Sequence, residues 1–332
     1  MQLQTTVTIP QSSSPIDYAH KLLLVGSCFA ENMGYKLIGN KFQVDINPFG
    51  ILYNPLSIKS ALLNLMDNRI FSENDLFEHQ GIFHSFAHHS RFSAADADSC
   101  LSVLNKRMDY SSKWLAESDH LIVTFGTAFV YFHKETNDVV SNCHKLPDNN
   151  FRRERISVDQ IVKEWRELIT KLRKFNPNIK ILFTVSPIRH WKDGAHENQL
   201  SKSTLLLAID KLVKEYDFCS YFAAYELVMD ELRDYRFYAE DMIHPSNQTV
   251  DYIWQRFCET HLSKATQQKI AEWHDLQKAL AHRPFNPKSE TYKLFLEQNL
   301  AKLEQLTKKS PYFALSTEIA QLREQLQSFE SL

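Results

Sequence analysis

Short apolar runs alternate with helical stripes along most of this chain. Leu22-Leu23-Leu24-Val25 is an unbroken apolar run, as in a strand buried on both faces. Ala30 to Gly39 then reads as a helix, with Phe29, Met33 and Leu37 on one side. Phe42 to Ile46 reads as a second strand, stopped by Asn47-Pro48. Helices are predicted over Pro55 to Met66 and Asp98 to Leu115, and a third strand over His120 to Phe125. Ala128 to His133 and Val139 to Cys143 flank the polar Lys134 to Asp138, the pattern of a hairpin. Ser157 to Lys174 reads as a helix with Ser157 and Gln160 set as a capping box. A fourth strand over Lys180 to Val185 is closed by Pro187. A helix (Ser201 to Tyr216), a fifth strand (Phe218 to Phe222) and a helix (Ser246 to His261) follow. Strands spaced in this way imply βαβ units and a parallel sheet, which places ligands at the carboxyl ends of its strands.

After Ser263 the texture changes. Ala265 to Ala281, Glu290 to Thr307 and Leu315 to Phe329 are helical patterns rich in Gln, Lys, Glu and Leu, interrupted by Pro284, Pro287 and Pro311. Ile319, Leu322, Leu326 and Phe329 form an amphipathic stripe. The reading is an α/β domain over 1–263 and a helical extension over 264–332. The extension either caps the domain or joins two copies of the chain as a homo-oligomer.

Composition narrows the function classes. Of 332 residues, 38 are Lys or Arg and 40 are Asp or Glu, a formal net charge of −2 that argues against nucleic-acid and membrane-surface partners. Cys28, Cys100, Cys143, Cys219 and Cys258 are odd in number and lack a C-x-x-C pair, which points to a reducing compartment. No run approaches the ~18 apolar residues of a membrane span. The stretch before Val25-Gly26-Ser27-Cys28 is too short for a signal peptide's apolar region, so a cytoplasmic location is expected. With neither G-x-G-x-x-G nor G-x-x-x-x-G-K-[ST], no nucleotide cofactor is expected, and none of another kind.

The chemistry gathers at the predicted strand exits. The first strand ends in Gly26-Ser27-Cys28, and Ser27 is presented where a helix N-terminus favours negative charge; capping that helix is the simpler role. Asp241 and His244 stand three apart before the last core helix, a spacing at which the carboxylate can orient the imidazole. The second strand exits into Asn47-Pro48-Phe49-Gly50, the third into Gly126-Thr127, and the hairpin carries Asn142-Cys143-His144-Lys145. The fourth exits into Ser186-Pro187-Ile188-Arg189-His190, where Arg189 suits an anion.

Gly26-Ser27-Cys28-Phe29-Ala30 spells the signature of the GSCFA family, which is grouped with the SGNH (GDSL-like) hydrolases. The chain resembles that family from about Lys21 to Ser263, including its NPFG, GTA, NCHK and D-x-x-H segments. The resemblance implies a flavodoxin-like three-layer α/β sandwich with a triad of Ser27, His244 and Asp241 at the carboxyl edge of the sheet. It implies an oxyanion hole from the Ser27 and Gly50 N–H groups. A G-x-N-D motif is usual after the third strand, but Ala128 stands where its Asn belongs, so Asn47 or Asn142 substitutes or that donor is missing. Arg189, His190, His144 and Thr127 are the substrate-binding candidates.

The leading reading is a serine hydrolase or acyltransferase acting on a small-molecule or glycan O-acyl ester. A weak or inactive relative that binds a ligand or partner is the alternative, motivated by the missing amide. Cys28 as nucleophile is a third reading, against the simpler role of core packing. His84, His88 and His89 suggest metal or a lid over the ester site, but no acidic or Cys ligand completes a metal motif, and no metal is expected.

Overall fold

The computed structural model describes residues 5–310 and 312–330. It divides into two compact units. One holds the chain up to Pro10, Lys21–Tyr35 and Val44–Phe257; the other holds Gln11–His20, Lys36–Gln43 and the chain from Cys258.

The first unit is built on a five-stranded parallel sheet. Its strands are β1 (Lys21–Gly26), β2 (Gln43–Ile46), β5 (His120–Phe125), β9 (Lys180–Val185) and β10 (Cys219–Phe222), in the order β10-β9-β5-β1-β2. Counting core strands alone, this is the 2-1-3-4-5 order of flavodoxin-like sheets. The crevice where the order reverses lies between the ends of β1 and β5, so Gly26-Ser27 and Gly126 exit side by side; Gly26 is in register with Thr124. All six residues of β5 are buried, as unbroken apolar strands of a two-sided sheet require.

Helices α1 (Cys28–Gly39), α2 (Pro55–Met66), α3 (Ala97–Glu117), α4 (Val158–Phe175) and α5 (Gly194–Glu215) connect the strands. Asn54 starts α2 by accepting the Ser57 N–H at 2.8 Å, with Pro55 at the first helical position. The Ser157 hydroxyl likewise takes the Gln160 N–H and starts α4. Ile161, Trp165, Leu168, Ile169 and Leu172 make one buried stripe of α4, and the edges of Phe125 and Phe183 pack on the Trp165 ring.

Two small antiparallel sheets sit in the connections. The hairpin of β6 (Phe129–His133) and β7 (Val139–Val140) gains a third strand, β8 (Phe151–Arg155), whose charged residues hide it in a hydrophobicity reading. A second hairpin, β3 (Phe77–His79) and β4 (Ile82–His84), carries the start of the histidine segment: His84 ends a strand and His88 lies beyond it in a turn. After β10 comes the short α6 (Ala224–Glu226), and α7 (Asn247–His261) follows the Asp241–His244 loop.

The second unit contains α8 (Lys264–Leu280), α9 (Glu290–Lys309) and α10 (Ser316–Glu330). Leu322 of the α10 stripe is buried, and Arg323 pairs with Glu304 of α9 at 2.7 Å. Trp273, Phe313 and Tyr18 join its core, and Trp273 Nε1 donates to Gly39 O at 2.8 Å. Pro284 and Pro287 fall between α8 and α9, while the break expected at Pro311 lies outside the described residues. Among the described residues no helix is long and apolar enough to cross a membrane.

Candidate active site

At the end of β1 the backbone turns sharply, and the turn requires glycine. Gly26 has φ +139°, and a Cβ there would lie 2.2 Å from Thr124 O on the adjacent strand. Ser27 follows, 1% exposed, and its Oγ accepts the Phe29 N–H at 3.3 Å, the bond of a residue capping α1. The Ser27 N–H points at Thr124 O at a long 3.3 Å.

Asn47 holds this turn from the neighbouring exit. Its Oδ1 accepts the Gly26 N–H at 2.8 Å, its backbone is left-handed (φ +43°), and its Nδ2 is buried with no hydrogen-bond partner. Arg91, which also pairs with Glu31, donates to Asn47 O at 2.7 Å. Gly50 does not supply a free N–H here: it donates to Asn47 O at 2.8 Å and closes the turn. Glycine is required there for a different reason than ligand approach, since at φ +80° a Cβ would stand 2.2 Å from His89 Cβ.

The third exit has no side-chain amide: an alanine, Ala128, stands there, fully buried. The Gly126 and Thr127 N–H groups both donate to Tyr53 O, and the Thr127 hydroxyl bonds Ser201 Oγ at 3.0 Å, so Thr127 is engaged in joining the exit to α5. Asn142 and His144 belong to another cluster. Asn142 Oδ1 takes the His144 N–H, and His144 Nε2 lies 2.9 Å from Ser85 O, its ring 4.5 Å from His84. His88 lies in the same region, stacked on Phe49 and edge-on to Phe71, and burial lowers its pKa to about 3. His84 bonds Ser93, His88 bonds Ser85, and His89 accepts the Arg91 N–H. Among the described residues no three metal-ligating side chains converge.

The loop between β10 and α7 is pinned at both ends. Ala239 N–H donates to His244 O at 2.7 Å, Ser246 N–H to Phe237 O at 2.9 Å, and Met242 turns the chain at φ +58°. Within it Asp241 Oδ1 accepts the backbone N–H groups of Ile243 and His244, each at 2.9 Å, and Oδ2 lies 2.5 Å from His244 Nδ1. These bonds hold the Asp241 pKa down at about 2. Both side chains are half-exposed. A carboxylate on Nδ1 leaves Nε2 as the nitrogen that accepts a proton.

His190 stands between the dyad and the strand exits. Its ring packs edge-on against Tyr53 at 5.3 Å, and its Nε2 lies 3.4 Å from where a Cβ on Gly126 would be. Burial lowers its pKa to about 4, and the charges of Lys202, Arg153 and His244 add to that. The Tyr53 phenol is pushed up by burial and by the neighbouring Cys28 and Glu31. Burial also pushes the Cys28 thiol up, the wrong direction for a thiolate nucleophile. Among the described residues no hydrogen bond joins Ser27 Oγ to His244.

Sequence reasoning missed Lys202. Its side chain is fully buried, and its Nζ donates to Gly126 O and Ser186 O, both at 2.7 Å, tying the ends of β5 and β9 together. Burial brings its pKa down to about 7. Lys202 precedes Leu205, Ile209 and Leu212 on the buried stripe of α5, and that position in the 3-4-3 spacing was the available signal.

An acetyl xylan esterase (Est2A) from the rumen bacterium Butyrivibrio proteoclasticus is similar in structure at a TM-score of 0.38 and 12% identity, covering 75% of this chain and 64% of that one. No curated protein matches. A model of the GSCFA family matches residues 21–257, and one described as the GSCFA domain protein, C-terminal domain, matches 273–328. The Gly26-Ser27 turn at the end of β1 lies inside the first match, and with most of its length so covered the chain belongs to the GSCFA family.

Proposed function

We propose that this chain is a serine hydrolase or acyltransferase of O-acyl esters, with Ser27 as nucleophile, His244 as general base and Asp241 as its orienting carboxylate. The observation that carries the reading is the Asp241–His244 pair, a 2.5 Å contact backed by two further N–H groups on the same carboxylate. The strand-exit serine and the unpartnered Asn47 Nδ2 beside it supply the nucleophile and an oxyanion donor.

In this reading Ser27 Oγ bonds to the ester carbonyl carbon and its proton passes to His244 Nε2. The carbonyl oxygen takes up negative charge, met by Asn47 Nδ2, since the Ser27 N–H already donates to Thr124 O. The C–O bond to the alcohol breaks, and the alcohol leaves with the proton from His244. Water, or a second alcohol, then attacks the acyl-Ser27 ester, gives its proton to His244, and Ser27 recovers that proton. His244 lies on a half-exposed loop, and such catalytic hydrogen bonds tighten when substrate fills the site.

A second reading has one observation in its favour: Ser27 is 1% exposed and caps α1, as in a protein that binds esters without cleaving them. A fluorophosphonate probe followed by peptide mass spectrometry separates the two. Labelling at Ser27, with esterase activity lost in Ser27→Ala, is the expected result. An unlabelled native protein whose activity survives Ser27→Ala would overturn the proposal.

A further inference from the structure

A cavity of about 460 Å³ lies against the carboxylate side of the dyad. Asp241, Ile243, Tyr235, Tyr238, Arg189 and Trp191 are among the residues that line it. Its size falls in the range of small-molecule sites. Arg189 is the group without an evident structural role. Its guanidinium lies 5.2 Å from the Trp191 ring centre, its Nε is buried without a partner, and among the described residues it has no hydrogen bond or ion pair. A buried guanidinium N–H without an acceptor is unfavourable unless a ligand completes it.

The other charges around the cavity are already matched. Asp234 holds Arg236 at 2.9 Å, Asp241 holds His244, and Arg233 leans on Asp230 at 3.9 Å while its Nε donates to Asp230 O. Arg189 is thus the charged lining side chain without a hydrogen-bond or ion-pair partner among the described residues, and its planar fork suits a carboxylate.

We propose that the substrate is an ester carrying a carboxylate, and that Arg189 binds this carboxylate with the neighbouring aromatic rings enclosing the rest of the group. The proposal rests on the esterase reading and narrows its substrate class. The carboxylate comes from the acyl half, as in a dicarboxylic monoester, or from the alcohol half, as in an acylated uronic acid.

Two substrate pairs distinguish the sources, followed by acid or acetate release. Ethyl hydrogen glutarate against ethyl pentanoate tests the acyl half. An O-acetylated methyl glucuronoside against the matching acetylated methyl glucoside tests the alcohol half. The expected result is a preference of at least about tenfold in kcat/KM for the charged member of one pair. In Arg189→Gln that ratio falls to about one, and Arg189→Lys retains part of it. Equal rates on both members of both pairs, or a preference that survives Arg189→Gln, overturns the proposal. If no ester is cleaved, the hydrolase reading fails, and calorimetric titration with glutarate and methyl glucuronoside decides this one separately. Binding to the native protein that Arg189→Gln abolishes upholds the carboxylate site; no binding of either overturns it.

Discussion

Asn47 Oδ1 accepts the Gly26 N–H at 2.8 Å, and the same amide leaves its Nδ2 buried without a partner. The two ends of this amide therefore have separable roles: one holds the turn before Ser27, the other is free for a developing oxyanion. Asn47→Asp keeps an acceptor for Gly26 and removes the donor, and Asp tolerates the left-handed backbone of this position. Its ester turnover is expected to fall by about 10²–10³ in kcat, the usual cost of one oxyanion donor. Asn47→Ala removes both roles and is expected to lower the thermal midpoint as well. Undiminished kcat in a folded Asn47→Asp protein would remove Asn47 from the oxyanion site.

Asp241→Asn tests the dyad with almost no change of shape. The Oδ1 that serves Ile243 N–H and His244 N–H is retained, while the oxygen facing His244 Nδ1 becomes an NH₂ donor. The imidazole then places its proton on Nε2, where a base needs a lone pair. A loss on the order of 10²–10⁴ in kcat is expected, with the fold retained by circular dichroism. A folded variant at full activity would show that the pair serves only to shape the loop.

The sheet was legible because its strands are buried on both faces: His120 to Phe125 and Lys180 to Val185 were read to the residue. So was α2, whose start is marked by Asn54-Pro55. What escaped was structure held by charge or by distance. Strand β8 is Phe-Arg-Arg-Glu-Arg and carries no apolar alternation, and the β3–β4 hairpin is too short to leave a period. Ser27 and Asn47 stood out as polar residues next to strand ends, and the dyad as a D-x-x-H pair before the last core helix. Which of their hydrogen bonds were already taken did not, because Gly50 bonding to Asn47 O and Asn142 bonding to His144 depend on turn geometry. Lys202 was overlooked because a single lysine on a helix normally lies in water.

Lys202 makes a prediction whose sign depends on pH. As a neutral amine it still has two N–H groups for its two acceptors, Gly126 O and Ser186 O. Its pKa is about 7 in the folded protein and near the ordinary lysine value of 10.5 when unfolded. Between these the unfolded chain binds the extra proton, so the stability conferred by Lys202 is lost as pH falls through about 7 and rises with pH above it. Lys202→Met, which leaves two buried carbonyls without a donor at any pH, is therefore expected to cost more in urea unfolding at pH 9 than at pH 6, by about 3 kcal/mol at ~1.4 kcal/mol per pH unit above 7. A difference independent of pH would show that the amine titrates normally.

His88 gives the complementary acid prediction. It is 2% exposed, packed on Phe49 and Phe71, and held to Ser85 Oγ at 3.0 Å, while His144 and Arg69 add positive charge that opposes its protonation. Its pKa is about 3 in the fold and 6.5 in the unfolded chain. Its contribution is complete above 6.5 and is lost as pH falls toward 3, because over that interval the unfolded chain binds the proton. At about 1.4 kcal/mol per unit of pKa difference, this one ring accounts for a loss on the order of a few kcal/mol by pH 4. His88→Phe keeps the stack between the two phenylalanines and has nothing to protonate. Its thermal midpoint is expected to fall less between pH 7 and pH 4 than that of the native protein. His144, His190 and His261, each with a pKa lowered by burial to about 4, contribute to the residual slope. Equal slopes in the two proteins would mean that His88 takes up its proton without opening the aromatic cluster around it.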